Sequence, residues 1–312
     1  MKAFIFDPLW PKLVDEKLQR QLDECGVDVT VVTNVKSLSE TLELFEGTEE
    51  RLLCLNPDYV GWKLKSDDYK DIPNLRGIFT VSTSFEWIES DVANERNIPI
   101  CNIRNFSTQA VAEWATMMML NLARQTPRLI KDNFSLDYDA DFLKYRGTQI
   151  KGKTAGIIGL GHNGTAIAER CVGLGMNVVY WSRSSKSDAY QYVELDELVR
   201  TADVIFPAYA KNSETNTLLT EGLLASVKSS AVIVDIVELD EARAAILDMA
   251  KTGKLFGYGF EAKPTTFSEY EGNVWAAPAY GWVTFESMYN GEMKLVENIV
   301  NAVKNDFPNR VN

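Results

Sequence analysis

Gly159-Leu160-Gly161-His162-Asn163-Gly164 places three glycines at Gly-x-Gly-x-x-Gly spacing, after the apolar run at 155–158 and before a stretch of helical character at 165–174. In that setting each glycine has its own task. The first permits a tight turn, the second lets backbone approach a pyrophosphate, and the third lets the helix lie close against the strand. The N–H groups that open the helix, with the positive end of its dipole, then hold the phosphates. The spacing predicts a dinucleotide cradle made by Gly159, Gly161, His162, Asn163 and Gly164. His162 is the only histidine among 312 residues. Because it sits inside the phosphate loop, hydride transfer here needs a proton donor other than an imidazole.

The end of the next strand, residues 177–181, selects the cofactor. Asp or Glu at this point binds the adenine ribose hydroxyls of NAD, whereas this chain reads Ser182-Arg183-Ser184-Ser185-Lys186. A carboxylate there repels the 2′-phosphate of NADP, while a guanidinium flanked by hydroxyls grips it through charge-assisted hydrogen bonds. Ser182, Arg183 and Ser184 therefore predict NADP(H) in preference to NAD(H).

These residues need a scaffold, and the rest of the chain supplies one. Short apolar runs at 3–6, 27–32, 51–55, 77–81 and 98–101 alternate with helical stretches near 13–25, 38–45 and 90–95, which predicts one parallel sheet. A long apolar helix follows at 109–124, its methionines suited to packing. From near Gln149 a second series begins, with strands at 155–158, 177–181, 202–206, 231–235, 255–260 and 274–276 and helices near 195–200, 219–225 and 241–252. Such alternation specifies an α/β protein of two doubly wound, Rossmann-like parallel-sheet domains. Apolar positions at helical spacing from Phe285 to Val303 predict a closing helix that returns to the first domain.

The length and the 46% hydrophobic content suffice for two cores. A net charge of −12 without a basic stripe argues against nucleic acid as a partner. No apolar run reaches membrane-spanning length. Cys25, Cys54, Cys101 and Cys171 are scattered without metal-like companions, which predicts reduced thiols, no metal site and a cytoplasmic location.

In its motifs the chain resembles the D-isomer-specific 2-hydroxyacid dehydrogenase family. The matching pieces are Pro73-Asn74-Leu75-Arg76, Asn97-Ile98-Pro99-Ile100-Cys101-Asn102, Val111-Ala112-Glu113, the run from Ile150 through Gly161, Ala202-Asp203-Val204, Glu214-Thr215 and Gly253-Lys254-Leu255. The resemblance implies a flavodoxin-like substrate domain from residues 1–103 and 285–312, a dinucleotide-binding domain from 104–284, a cleft at the hinge, a small-molecule substrate and a homodimer built around the long helix.

The resemblance breaks where the chemistry belongs. Family members use an Arg to hold the substrate, a Glu to orient a His, and that His to exchange the proton. The Arg position here holds Val237 or Glu238, Lys263 precedes Pro264 where the Glu belongs, and Ala279 follows Pro278 where the His belongs. The glycine-rich substrate loop reads Ser82-Thr83-Ser84-Phe85-Glu86-Trp87. Tyr280 becomes the candidate proton donor, with Lys263 to lower its pKa, Arg104 to receive a substrate anion and Glu238 as a further catalytic candidate. Val237 and Glu261 are expected at the cofactor, Glu261 where the family has an Asp for the nicotinamide amide. These residues predict an NAD(P)-dependent oxidoreductase acting on a small carbonyl or hydroxy compound through a non-standard site. The alternative is a catalytically silent NADP(H)-binding sensor or partner-binding protein.

Overall fold

The short apolar runs form two parallel sheets, seen in a computed structural model that describes residues 1–33, 38–135, 137, 143–184, 186–212, 214–262 and 269–312. The chain divides into two units, Met1–Ser107 with Thr284–Asn312, and Thr108–Val283.

In the first unit β1 (Lys2–Phe6), β2 (Asp28–Val31), β3 (Arg51–Leu55), β4 (Leu75–Thr80) and β5 (Ile100–Cys101) pair in parallel in the order β2-β1-β3-β4-β5. β3 is buried at every position, its apolar run Leu52–Leu55 and also Arg51, whose guanidinium donates to the Glu49, Pro73 and Glu46 carbonyls. The helices are α1 (Trp10–Leu13), α2 (Glu16–Glu24), α3 (Pro57–Val60), α4 (Ser66–Tyr69) and α5 (Asp91–Glu95), with a 3-10 helix at Leu38–Phe45. The helix expected near 13–25 begins at Glu16, because Asp15 adopts an extended conformation and its carboxylate accepts a hydrogen bond from Leu18 N at 2.9 Å, and the short α1 precedes it.

The closing helix, α12 (Phe285–Val303), belongs to this unit, and its buried Leu295, Val296, Ile299 and Ala302 share a core with Ile5, Leu22 and Phe79. α12 also carries Glu292, 2% exposed, toward Asp7 at the end of β1, which is fully buried. Asn56 Nδ2 donates to Asp7 Oδ2 at 2.7 Å, while Glu292 Oε2 is buried with no hydrogen-bond partner among the described residues. Burial and the charge of Asp7 push the Glu292 carboxyl up to about 8.

In the second unit β6 (Thr154–Ile158), β7 (Asn177–Trp181), β8 (Gln191–Tyr192), β9 (Val204–Pro207), β10 (Val232–Val234), β11 (Gly257–Glu261) and β12 (Val274–Ala277) form one parallel sheet ordered β12-β11-β10-β9-β6-β7-β8. Its helices are α6 (Thr108–Ala123), α7 (Thr126–Lys131), α8 (His162–Gly173), α9 (Leu195–Thr201), α10 (Glu221–Leu224) and α11 (Asp240–Thr252). α6 and α8 share a core with β6, β9 and β10, in which Met118 and Met119 are fully buried. α7 was not expected from the sequence. It arises because Gln125, at φ +53°, breaks the chain direction after α6, and Pro127 suits the start of a new helix. The strand order reverses at β6, with β9 on one side and β7 on the other, and crevices at such reversals are where open α/β sheets take ligands.

Candidate functional site

Each glycine of the loop after β6 has a different environment. Gly159 has φ +96°, and a Cβ there would stand 2.8 Å from Tyr209 N and Cα, so the position needs glycine on both counts. At Gly164 a Cβ would stand 2.0 Å from the Gly159 carbonyl oxygen, which is the close approach of helix to turn. At Gly161 a Cβ would meet nothing within 4 Å. The open glycine is the one that caps α8, a helix that receives no side-chain cap. Its first N–H groups therefore retain capacity for an anion. A hollow of about 470 Å³, lined in part by Gly161, His162 and Thr165, opens beside them. His162 is exposed and Asn163 half-buried. These features fit a dinucleotide pyrophosphate.

At the end of β7, Ser182 is half-buried, and Arg183 and Ser184 are exposed. Arg183 forms an ion pair with Glu214, from the loop after β9. The two residues are 31 positions apart, so no local pattern pairs them.

The third element is the loop after β10, where the family places its Arg. Asp235, 1% exposed, organises it: Oδ1 accepts from Val237 N and Oδ2 from Leu239 N, both at 2.9 Å, and Tyr258 Oη donates to Oδ2 at 3.0 Å. Burial raises the Asp235 pKa, against the pull of those hydrogen bonds. The turn leaves Glu238 exposed at φ +57°. Lys211, from the loop after β9, donates to the Glu238 carbonyl at 2.8 Å and to Asp240 Oδ2 at 2.6 Å. Asp235→Ala removes three accepted bonds in a dry site, and each stranded donor costs about 1–3 kcal/mol. It is expected to lower stability by roughly 3 kcal/mol or more, read as a shift in urea midpoint; an unchanged midpoint would show that the loop is held by other means.

Glu261, at the end of β11, accepts from Gly281 N at 2.8 Å. Burial raises its pKa, hydrogen bonds from the Gly281 and Tyr280 backbone oppose this, and the charges of Glu238 and Asp235 add to the rise. Glu261 thus holds the backbone of the turn that carries Tyr280, whose side chain is 59% exposed. The amide that Glu261 engages in this structure is the chain's own. Tyr209 is a further unexpected resident: its backbone abuts Gly159, and its buried hydroxyl has no hydrogen-bond partner among the described residues.

Residues 116–266 match the family profile described as D-isomer specific 2-hydroxyacid dehydrogenase, NAD binding domain. That span, just under half of the chain, is similar to the family's NAD-binding domain. Among relatives of the 2-hydroxyacid dehydrogenase family, a D-3-phosphoglycerate dehydrogenase from Archaeoglobus fulgidus is 28% identical across 97% of this chain and 58% of its own length. The chain thus spans little more than half of that relative. A glyoxylate reductase from Thermococcus gammatolerans is 29% identical over 78% of this chain and 77% of its own. A solved structure described as an acyclic imino acid reductase in complex with NADPH and D-Arg shares the fold, with a TM-score of 0.81, 23% identity and full coverage of both chains. The dinucleotide of this family is a nicotinamide one, and its chemistry is that of an oxidoreductase.

The candidate site is assembled from the loops after β6, β7, β9, β10 and β11. The second unit brings Glu238, Asp235 and Glu261 close enough for their charges to interact, and ties Glu261 to the Tyr280 turn. Val237 lies half-buried in the Asp235 turn. Arg104 lies in the first unit, exposed, with Nε donating to Asn102 Oδ1 at 3.4 Å. Lys263 lies outside the described residues. Among the described residues no His, Cys, Asp and Glu gather into a group able to hold a metal, and no helix is long and apolar enough to cross a membrane.

Proposed function

We propose that the chain is an NADP(H)-dependent oxidoreductase that reduces a small carbonyl or related compound, or oxidises the corresponding hydroxy compound, through a site rebuilt without the family's Arg, Glu and His. The observation that carries the reading is the end of β7, where Ser182 stands in place of the carboxylate that selects NAD and is followed by an exposed Arg183. Gly161 and the start of α8 bind the pyrophosphate in this reading, and His162 and Asn163 border it. A reduced nicotinamide held there would supply the hydride that the reduction needs. Tyr280 gives a proton from its phenol to the developing oxyanion, and Glu261 keeps the Tyr280–Gly281 backbone in place for that transfer. Glu238 beside the substrate disfavours a carboxylate at the position the family's Arg neutralises, because two like charges in a partly dry cleft repel. Arg104 remains the candidate for a substrate anion elsewhere, and Lys263 for lowering the Tyr280 pKa.

A cytoplasmic homodimer joined through α6 belongs to the same reading, supported by Leu120 standing 39% exposed on that helix. The second reading, a silent NADP(H) sensor or partner-binding protein, is favoured by Ala279 and by Val237 or Glu238 at the positions of the family's acid and cation.

The test is consumption of NADPH with a panel of 2-oxoacids, aldehydes and cyclic imines. Turnover of a panel member supports the enzyme, whereas tight binding without turnover supports the sensor. Arg183→Ala is expected to weaken NADP+ at least about tenfold while barely changing NAD+, the loss of one charge-assisted contact; equal effects on both would refute the cofactor preference. Tyr280→Phe is expected to slow the chemical step by at least about tenfold, and an unchanged single-turnover rate would remove the phenol from the mechanism.

A further inference from the structure

The loops after β7 and β9 are joined by the Arg183–Glu214 ion pair, and β6 lies between those strands in the sheet. The pair therefore bridges across the strand whose loop is the glycine cradle. Both side chains remain largely in water, 54% and 74% exposed. The carboxylate is nonetheless presented from a fixed turn. Asn212 Oδ1 accepts from Glu214 N at 3.0 Å and Thr215 N at 3.1 Å, while Thr215, 4% exposed, accepts from Asn212 N and donates to the Ala210 carbonyl, both at 2.8 Å. Lys211, on the same loop, is engaged by the Glu238 carbonyl and Asp240. The guanidinium of Arg183 is the cation that Glu214 meets.

We propose that Glu214 is a cofactor-selectivity residue, which occupies Arg183 in the nucleotide-free protein and must yield it before a 2′-phosphate can bind. The proposal rests on the reading of Arg183 as the 2′-phosphate ligand. A 2′-phosphate brings about −1.5 to −2 charges to a guanidinium already neutralised, so it must displace the carboxylate and then lie beside it. An adenine ribose with two free hydroxyls makes no such demand. It finds in Glu214 an acceptor of the kind that usually stands at the end of the second strand, where this chain has Ser182. Arg183 therefore favours NADP, Glu214 opposes it, and the balance between them sets the selectivity. An exposed ion pair is worth little, so the exchange is readily reversible and strongest at low salt.

The experiment measures NADP+ and NAD+ dissociation constants by calorimetry at low and high salt for the full chain, Glu214→Gln, Arg183→Ala and the double variant. Glu214→Gln is expected to tighten NADP+ about three- to tenfold without tightening NAD+, to lose most of that gain at high salt, and to have no such effect in the Arg183→Ala background. Unchanged or weaker NADP+ binding in Glu214→Gln, equal tightening of both nucleotides, or a full effect persisting without Arg183 would each overturn the proposal. Failure of the underlying reading looks different: Arg183→Ala would then weaken both nucleotides alike, whatever Glu214→Gln does.

Discussion

Gly161→Ala is expected to leave the thermal midpoint of the protein nearly unchanged while weakening nucleotide binding by roughly tenfold to a hundredfold, and Gly164→Ala is expected to do the reverse. The two positions lie three residues apart in one loop, and their surroundings differ. Gly161 has φ −82° and ψ −161°, a conformation open to alanine, and a methyl there touches no protein atom. Replacing glycine at a helix cap costs little more than a few tenths of a kcal/mol. The methyl would instead fill the space through which a pyrophosphate reaches the N–H groups of α8, and overpacking of that kind costs about 1–3 kcal/mol, taken from binding. A Cβ at Gly164 would stand 2.0 Å from the Gly159 carbonyl oxygen and 3.1 Å from Ile157 Cγ2. Backbone cannot step aside as a side chain can, so the cost falls on the fold, at about 3 kcal/mol or more, equivalent to a fall of roughly 6–12 °C in Tm. Calorimetric titration with paired thermal melts separates the two outcomes. Equal loss of Tm in both variants would mean that Gly161 is merely structural.

The second large effect is one of pH. Glu292 keeps its proton up to about 8 in the folded protein, against 4.5 for the ordinary carboxyl. Between those values the folded state holds a proton that the unfolded chain has released. Stability is therefore fully present below about 4.5 and falls as pH rises through the window, by about 1.4 kcal/mol per unit, in total on the order of 3–5 kcal/mol. Asp7, raised by burial, acts in the same direction. Of the groups around the pair, Cys54 and Tyr59 are both driven upward by burial and by the acids' charge, and Asp58 adds negative charge. Glu292→Gln cannot ionise, yet it keeps a donor for Asp7. It is expected to match the parent at pH 5 and to exceed it by at least about 2 kcal/mol at pH 8.5, seen as a flattened pH dependence of the urea midpoint. An unaltered slope in the variant would place the pH dependence elsewhere.

The glycine loop, the two sheets and the return of the closing helix were legible because each rests on local pattern: short apolar runs, helical spacing, and glycines between a strand and a helix. Strand ends shifted by one or two residues, as at Leu75–Thr80 and Gly257–Glu261. Asp235 was hidden because it continues an apolar run and looks like the last residue of a strand. Only its three donors, from Val237, Leu239 and Tyr258, show that it organises the loop. The partners of Tyr209 and Glu214 were hidden as well, even though Glu214-Thr215 stood out as a motif, since they reach Gly159 and Arg183 through the strand order β9-β6-β7, a property of the sheet. Tyr280 and Glu261 were chosen by motif position alone, and the bond from Gly281 N supplies the physical link between them.

Calorimetric titration of the full chain with NADP+ and, separately, NAD+ decides whether the glycine loop holds a nucleotide. Saturable binding of one nucleotide per chain is expected, with NADP+ the tighter. Absence of uptake of either nucleotide at millimolar concentration would contradict it.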